Sequence, residues 1–179
     1  FDFDGVLVDS VNIKTRAFAK LYEPYGNDIV KKVIRYHEEN GGISRFDKFK
    51  YYHNNFLGRE LRKSDLKMLC ENFSSIVVNE VVNSSWIKGA FEFLKNYYQK
   101  ITFYIASATP EKELLKITEK RMMTQFFKRI YGSPLSKKDI LSNIILQEQC
   151  DKKEFVMIGD SNSDYYAAID NSIDFIGIG

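Results

Sequence analysis

From Ile101 to the end of the chain, short apolar runs alternate with segments of helical periodicity, and this rhythm restricts the fold more than any other feature. Ile101–Ala106, Arg129–Tyr131, Phe155–Ile158 and Phe175–Ile178 read as strands. Helices fit the gaps. Thr109-Pro110 followed by Glu111 and Glu113 is a helix start with a capping hydroxyl, a proline at the first helical position and acids in the first turn. Ser136 with Asp139 is a variant capping box ahead of Ile140, Leu141, Ile144 and Ile145, which share one helix face. Such a βαβα order gives an α/β fold, a doubly wound, Rossmann-like parallel sheet with helices on both faces.

The stretch from Asn12 to Ser85 breaks the pattern, with long helical periodicities and no strand runs. Phe46, Phe49, His53 and Phe56 recur near helical spacing, as do Leu66, Leu69, Phe73, Ile76 and Val77, and these stripes are expected to form the segment's own core. Gly41-Gly42 marks a break between its two halves. The expected organisation is a catalytic core built from residues 1–11 and 86–179, interrupted by a helical unit at 12–85. A chain of 179 residues has room for one sizeable core and one smaller module.

Charge narrows the partner classes. The 26 basic and 24 acidic residues are spread along the chain with no dense basic block, which argues against nucleic acid. No apolar run approaches the roughly 18 residues of a membrane span. The expected partner is therefore a small molecule. Cys70 and Cys150 lie far apart and outside any CxxC spacing, so both are expected as reduced thiols of a cytoplasmic protein.

Four segments carry chemistry. In Phe1-Asp2-Phe3-Asp4-Gly5-Val6-Leu7, two carboxylates stand at the end of an apolar strand, where parallel sheets present their ligand crevice. Residues two apart on a strand share a face, and Gly5 allows a tight departure from it. Two such acids suit a division of labour, one attacking phosphorus and the other carrying a proton, with a divalent cation relieving the repulsion between carboxylate and phosphate. Ile105-Ala106-Ser107-Ala108-Thr109-Pro110 sets a small hydroxyl and main-chain amides between a strand and a helix start, an anion site. Ser136-Lys137-Lys138 places cations in a first helical turn, against the helix dipole, which a bound phosphoryl group would justify. Gly159-Asp160-Ser161-Asn162-Ser163-Asp164 sets two acids after a strand, where acids can ligate a metal.

With these four segments in this order, the chain resembles the haloacid dehalogenase-like hydrolases, especially their phosphoglycolate phosphatase and β-phosphoglucomutase-like branch. The match runs through DFDGVLVDS from Asp2, Ser107 in IASATP, Lys137 in GSPLSKKDIL and GDSNSD from Gly159. The resemblance implies Mg2+-dependent hydrolysis of a small phosphomonoester, with Asp2 as nucleophile and Asp4 as general acid/base. Asp2, Asp160 and the main-chain carbonyl of Asp4 would hold the metal. Ser107, Lys137 and the N–H groups of Phe3, Gly5 and Ala108 would hold the phosphoryl oxygens, and Asp164 would support the metal shell or orient Lys137. The third motif often reads glycine-lysine-proline in the family, whereas here Lys137 and Lys138 are adjacent, so Lys138 stands as the alternate to Lys137. The helical unit resembles the family's cap, and Gly41-Gly42-Ile43-Ser44-Arg45 its specificity loop, in which Arg45 and also Lys48 would grip an anionic group of the substrate. His37 and His53 receive no metal or catalytic role. A phosphomutase using the same acids and a non-catalytic binding protein on the same fold are the alternative functions.

Overall fold

Two pairs of parallel strands form the sheet of the computed structural model, which describes residues Phe1–Gly179. β1 (Tyr104–Pro110) pairs with β2 (Arg129–Ser133), and β3 (Val156–Gly159) pairs with β4 (Asp174–Gly177). The first two residues join the pairs. The Ala106 N–H donates to Phe1 O at 2.9 Å, and the Asp2 N–H donates to Ile158 O at 2.8 Å, so the spatial order is β2, β1, residues 1–2, β3, β4. The strand expected to carry Asp2 and Asp4 at its end makes its last sheet hydrogen bond at Asp2, so Asp4 already lies in the turn. Beyond Asp2 the chain curls into a tight turn closed by Leu7 N–H to Phe3 O at 3.0 Å and Gly5 N–H to Val8 O at 2.9 Å. β1 likewise begins at Tyr104 rather than Ile101, which is solvent-exposed, and continues through Pro110.

Alternation along the strands divides the core. Ile105 and Ile130 face one cluster with Leu114 and Ile117 of α6 (Glu111–Lys120). Their neighbours Ala106 and Tyr131 face a second cluster with Ile140, Leu141 and Ile144 of α7 (Lys137–Glu148) and Ala167 and Ala168 of α8 (Asn162–Asn171). A period of two on a pleated strand with helices on each side is the doubly wound arrangement expected from the sequence.

Between the first turn and the sheet lie α1 (Val11–Tyr22), α2 (Asn27–Glu39), α3 (Arg45–Tyr51) and α4 (Lys63–Asn83), followed by α5 (Ala90–Tyr97). Phe49, His53, Leu69, Phe73 and Val77 are buried as their periodicity predicts. They do not form a separate core, however. One continuous cluster of 22 residues runs from Phe49 and Phe73 through Phe18 to Phe3, Phe103 and Leu114. The Phe18 ring lies 4.4 Å from that of Phe73 and 5.4 Å from that of Phe49, centroid to centroid. The reason is that α4 packs against both α1 and α6, so its apolar stripe is shared between the helical unit and the sheet layer. No helix is long and apolar enough to cross a membrane, and Cys70 and Cys150 are both free.

Because the cluster is shared, Phe73→Ala should cost about 3–5 kcal/mol of global stability. Urea unfolding followed by Trp86 fluorescence and by far-ultraviolet circular dichroism should still give one coincident transition; two separated transitions would show that the helical unit unfolds on its own.

Candidate active site

Lys137 is the first residue of α7, whose start is fixed by Ser136: its hydroxyl accepts the Asp139 N–H at 3.1 Å. From there the buried ammonium donates to Asp2 Oδ2 at 2.7 Å and to Asp164 Oδ1 at 2.5 Å. The other oxygen of Asp2 accepts the Phe3 N–H at 2.7 Å. The other oxygen of Asp164 accepts the Ser161 hydroxyl at 2.6 Å and the Ser161 N–H at 3.2 Å, closing a capping box at the start of α8. Burial raises the Asp2 carboxyl above its ordinary value, with Lys137 opposing. Burial also works against charge on Lys137, but the two carboxylates outweigh it and hold the ammonium protonated. Lys138 points elsewhere: it is exposed and pairs with Asp170 at 3.0 Å.

Asp4 is held differently. It accepts the Ser10 hydroxyl at 2.6 Å and the Thr109 hydroxyl at 2.9 Å and forms an ion pair with Lys14, which also donates to Thr109 Oγ1 at 2.7 Å. Burial disfavours its charge, yet the Lys14 ammonium and the two hydroxyls together leave Asp4 below the usual carboxylate range. Thr109 is therefore not the helix cap expected from its position before Pro110; Pro110 itself occupies the cap position of α6, without a side-chain capping bond. The register of β1 against β2 shifts between Ala106 and Pro110, and this irregular stretch carries Ser107, Ala108 and Thr109 to the sheet mouth. The buried Ser107 Oγ accepts the Thr109 N–H at 3.1 Å, which leaves its hydroxyl proton to donate.

Carboxylate oxygens of Asp2, Asp160 and Asp164 lie within 4.8 Å of one another. Burial and then the Asp164 charge raise the Asp160 carboxyl. Gly5, at φ +79°, passes so near that a Cβ there would lie 2.1 Å from Asp160 Oδ2, which explains the glycine in the first motif. Two of the expected phosphoryl donors are occupied within the protein: the Phe3 N–H by Asp2 and the Gly5 N–H by Val8 O. Ala108 is half-buried and lines the cavity.

A cavity of about 280 Å³ separates these groups from the helical unit, which is closed over them. Gly42, at φ +74°, rests on the α8 start: a Cβ there would meet Ser163 Oγ at 2.0 Å and Ser161 Oγ at 2.8 Å. Arg45 lines the cavity, but its guanidinium is not free to grip a substrate anion as the sequence suggested. It forms a bidentate pair with Glu113 of α6, donates to Ser74 Oγ at 2.9 Å and lies over the Phe73 ring at 4.4 Å. Lys48 also lines the cavity and sits 2.7 Å from His37 Nδ1.

Ser10, Lys14 and His37 are site neighbours that sequence reasoning passed over. Lys14 fell inside the 12–85 helical unit, of which only the Gly41–Arg45 loop and Lys48 were read toward the site, although Ser10 and Lys14 stand one helical turn apart directly after the acidic pair. Nothing local marks His37, because its partner Lys48 is on the next helix.

A family model described as haloacid dehalogenase-like hydrolase matches residues 1–178. The chain belongs to that family. Among solved structures, haloacid dehalogenase-like folds align over essentially its whole length. A β-phosphoglucomutase from Clostridium difficile is 18% identical with a TM-score of 0.80, covering 100% of this chain and 82% of that one. YfnB of Bacillus subtilis, assigned as a HAD hydrolase and solved with bound magnesium, is 20% identical with a TM-score of 0.74, covering 99% and 86%. A protein of Lactobacillus delbrueckii assigned as a phosphoglycolate phosphatase is 17% identical with a TM-score of 0.70, covering 99% and 83%. No curated protein matches the chain. At these identities the haloacid dehalogenase-like fold is what is shared.

Glu113→Ala would leave the Arg45 guanidinium buried without its carboxylate, at an expected cost of about 3–5 kcal/mol. Arg45→Met combined with Glu113→Leu should recover most of that loss in thermal unfolding. Equal stability of the single and double variants would remove the ion pair from the account of how the cap closes.

Proposed function

We propose that this haloacid dehalogenase-like hydrolase is a Mg2+-dependent phosphatase of small phosphomonoesters that acts through an aspartyl-phosphate on Asp2. Residues 1–11 and 86–179 form its catalytic core and 12–85 its helical cap. The observation that carries this proposal is the pair of unlike carboxylates at one cavity: Asp2 braced by Lys137, and Asp4 kept ionised by Lys14, Ser10 and Thr109.

Asp2 forms the new bond to phosphorus as the bond to the leaving oxygen breaks. Lys137, the Ser107 hydroxyl and the Ala108 amide stabilise the charge on the equatorial oxygens. In its protonated form Asp4 delivers a proton to the departing alkoxide; the carboxylate so formed, the state the structure holds, then takes a proton from the water that hydrolyses the aspartyl-phosphate, which restores the acid for the next turnover. The Lys14 ion pair and the two hydroxyls favour the ionised form that the second of these duties needs. The closed cap keeps bulk water from the acyl-phosphate until the alcohol has left.

The donor set fits Mg2+, being all oxygen and crowded with like charge that a cation relieves. Asp2, Asp160 and the Asp4 carbonyl would hold the ion. Asp164, with both oxygens engaged by Lys137 and Ser161, positions Lys137. When bound, the ion neutralises the repulsion between Asp2 and the incoming phosphate. The free thiols of Cys70 and Cys150 support a cytoplasmic setting, and phosphoester enzymes among the structural neighbours support the substrate class.

Phosphate release from a panel of phosphomonoesters should require Mg2+ and vanish in Asp2→Asn. Asp4→Asn should lower turnover by about 10²–10⁴-fold. Phosphoryl transfer to a sugar without free phosphate would instead indicate a mutase, and Mg2+ binding with neither release nor acyl-phosphate a binding protein.

A further inference from the structure

A second and larger opening, a groove of about 520 Å³, lies where the helical unit meets the core. Arg45 is the one residue that lines both this groove and the catalytic cavity, so its ion pair with Glu113 stands between them. Lys63, Leu66, Lys67, Cys70 and Ser74 recur at three- and four-residue spacing and present one face of α4 to the groove, and Pro110 and Lys112 reach it from the start of α6. Phe46, Leu66, Pro110 and the stems of the lysines give it an apolar lining. Cys70 reports that character: burial, against the attraction of Arg45, pushes its thiol up to about 11.

The charges around this lining do not balance. Four cations, Arg45, Lys63, Lys67 and Lys112, face two acids, Glu71 and Glu113. Lys63 is the first residue of α4 and Lys112 the second of α6, so each meets the positive end of its own helix dipole. The acids nearby are engaged by other groups: Glu71 pairs with Lys67 at 3.9 Å, Asp65 with Arg62 at 2.8 Å and Glu113 with Arg45 and Ser74, while Glu111 accepts the Gly132 N–H at 3.3 Å. Neither Lys63 nor Lys112 has a carboxylate at ion-pair distance. We propose that the groove is a second ligand site, separate from the catalytic cavity, for a small amphiphilic anion whose carboxylate is drawn to Lys63 and Lys112 and whose apolar body lies on Phe46, Leu66 and Pro110. Exposed ammonium groups alone hold an anion weakly because water competes, and the apolar body adjoining the charge supplies the remaining affinity. The volume falls in the range of small-molecule pockets. With walls from α3 and α4 and from α6, the ligand would bridge the helical unit and the core.

Titration calorimetry of the wild-type protein with phenylbutyrate, phenylbutanol and acetate tests both halves of that ligand. Phenylbutyrate should bind at one site. The alcohol, which lacks the charge, and acetate, which lacks the apolar body, should each bind about 10-fold more weakly or worse. Lys63→Ala combined with Lys112→Ala should weaken phenylbutyrate about 3- to 20-fold and leave the thermal unfolding midpoint in place, since both side chains are exposed. Location is read separately: in Cys150→Ser protein, phenylbutyrate should slow the alkylation of Cys70 by iodoacetamide, and the two lysine changes should remove most of that protection. No binding of phenylbutyrate would overturn the proposal, and so would an alcohol that binds as tightly as the acid. Affinity untouched by the lysine changes, or binding that leaves Cys70 unprotected, would place the ligand elsewhere on the protein and overturn it equally.

Discussion

The Lys137 ammonium is the point on which the site turns. Its two partners come from remote parts of the chain, Asp2 at the junction of the two strand pairs and Asp164 in the first turn of α8, separated from it by 135 and 27 residues. Two carboxylates around one cation make the burial of three charges tolerable, because each charged group then has a partner at hydrogen-bond distance. The same contact fixes the rotamer of Asp2 and, through Ser161, the entry of the chain into α8. Asp160, one residue before that cap, is thereby carried to the cavity edge as a carboxylate with no side-chain partner. The haloacid dehalogenase-like sheet places these segments side by side, and the ion triad sets their distances.

What was legible in the sequence follows this division between local and remote causes. Ser136 with Asp139 is a cap whose partner lies three residues away, so that helix start could be read directly, and Ser161 with Asp164 repeats the spacing at the start of α8. The strand runs after Ile101 were readable because period-two burial leaves its mark on neighbouring residues. Lys137 and Lys138 could not be told apart, since both sit in one helical turn and only the phase of α7 against the sheet decides which points inward. Thr109 was misjudged because its hydroxyl suits a helix cap and a carboxylate equally well; the irregular end of β1 settles the choice in favour of Asp4, 105 residues away. The stripes of α3 and α4 revealed which faces are apolar, but periodicity carries no information about what covers them. Here the cover is in part the sheet layer itself.

The helical cap supplies its own wall of the cavity. Gly42 lies directly on the serines of the α8 start, while Lys48 and His37 line the same cavity as Asp2, Asp4 and Asp160. The cavity is thus walled by the acids and Ser107 from the sheet layer on one side and by residues of the helical unit on the other.

The pair between Arg45 and Glu113 gives this division a mechanical character. Its attraction is strong only while water is excluded, and any opening that admits solvent weakens the contact that resisted it. Resistance therefore falls as the gap widens, the opposite of an elastic tether. A lid held this way favours being fully shut or well open and spends little time ajar.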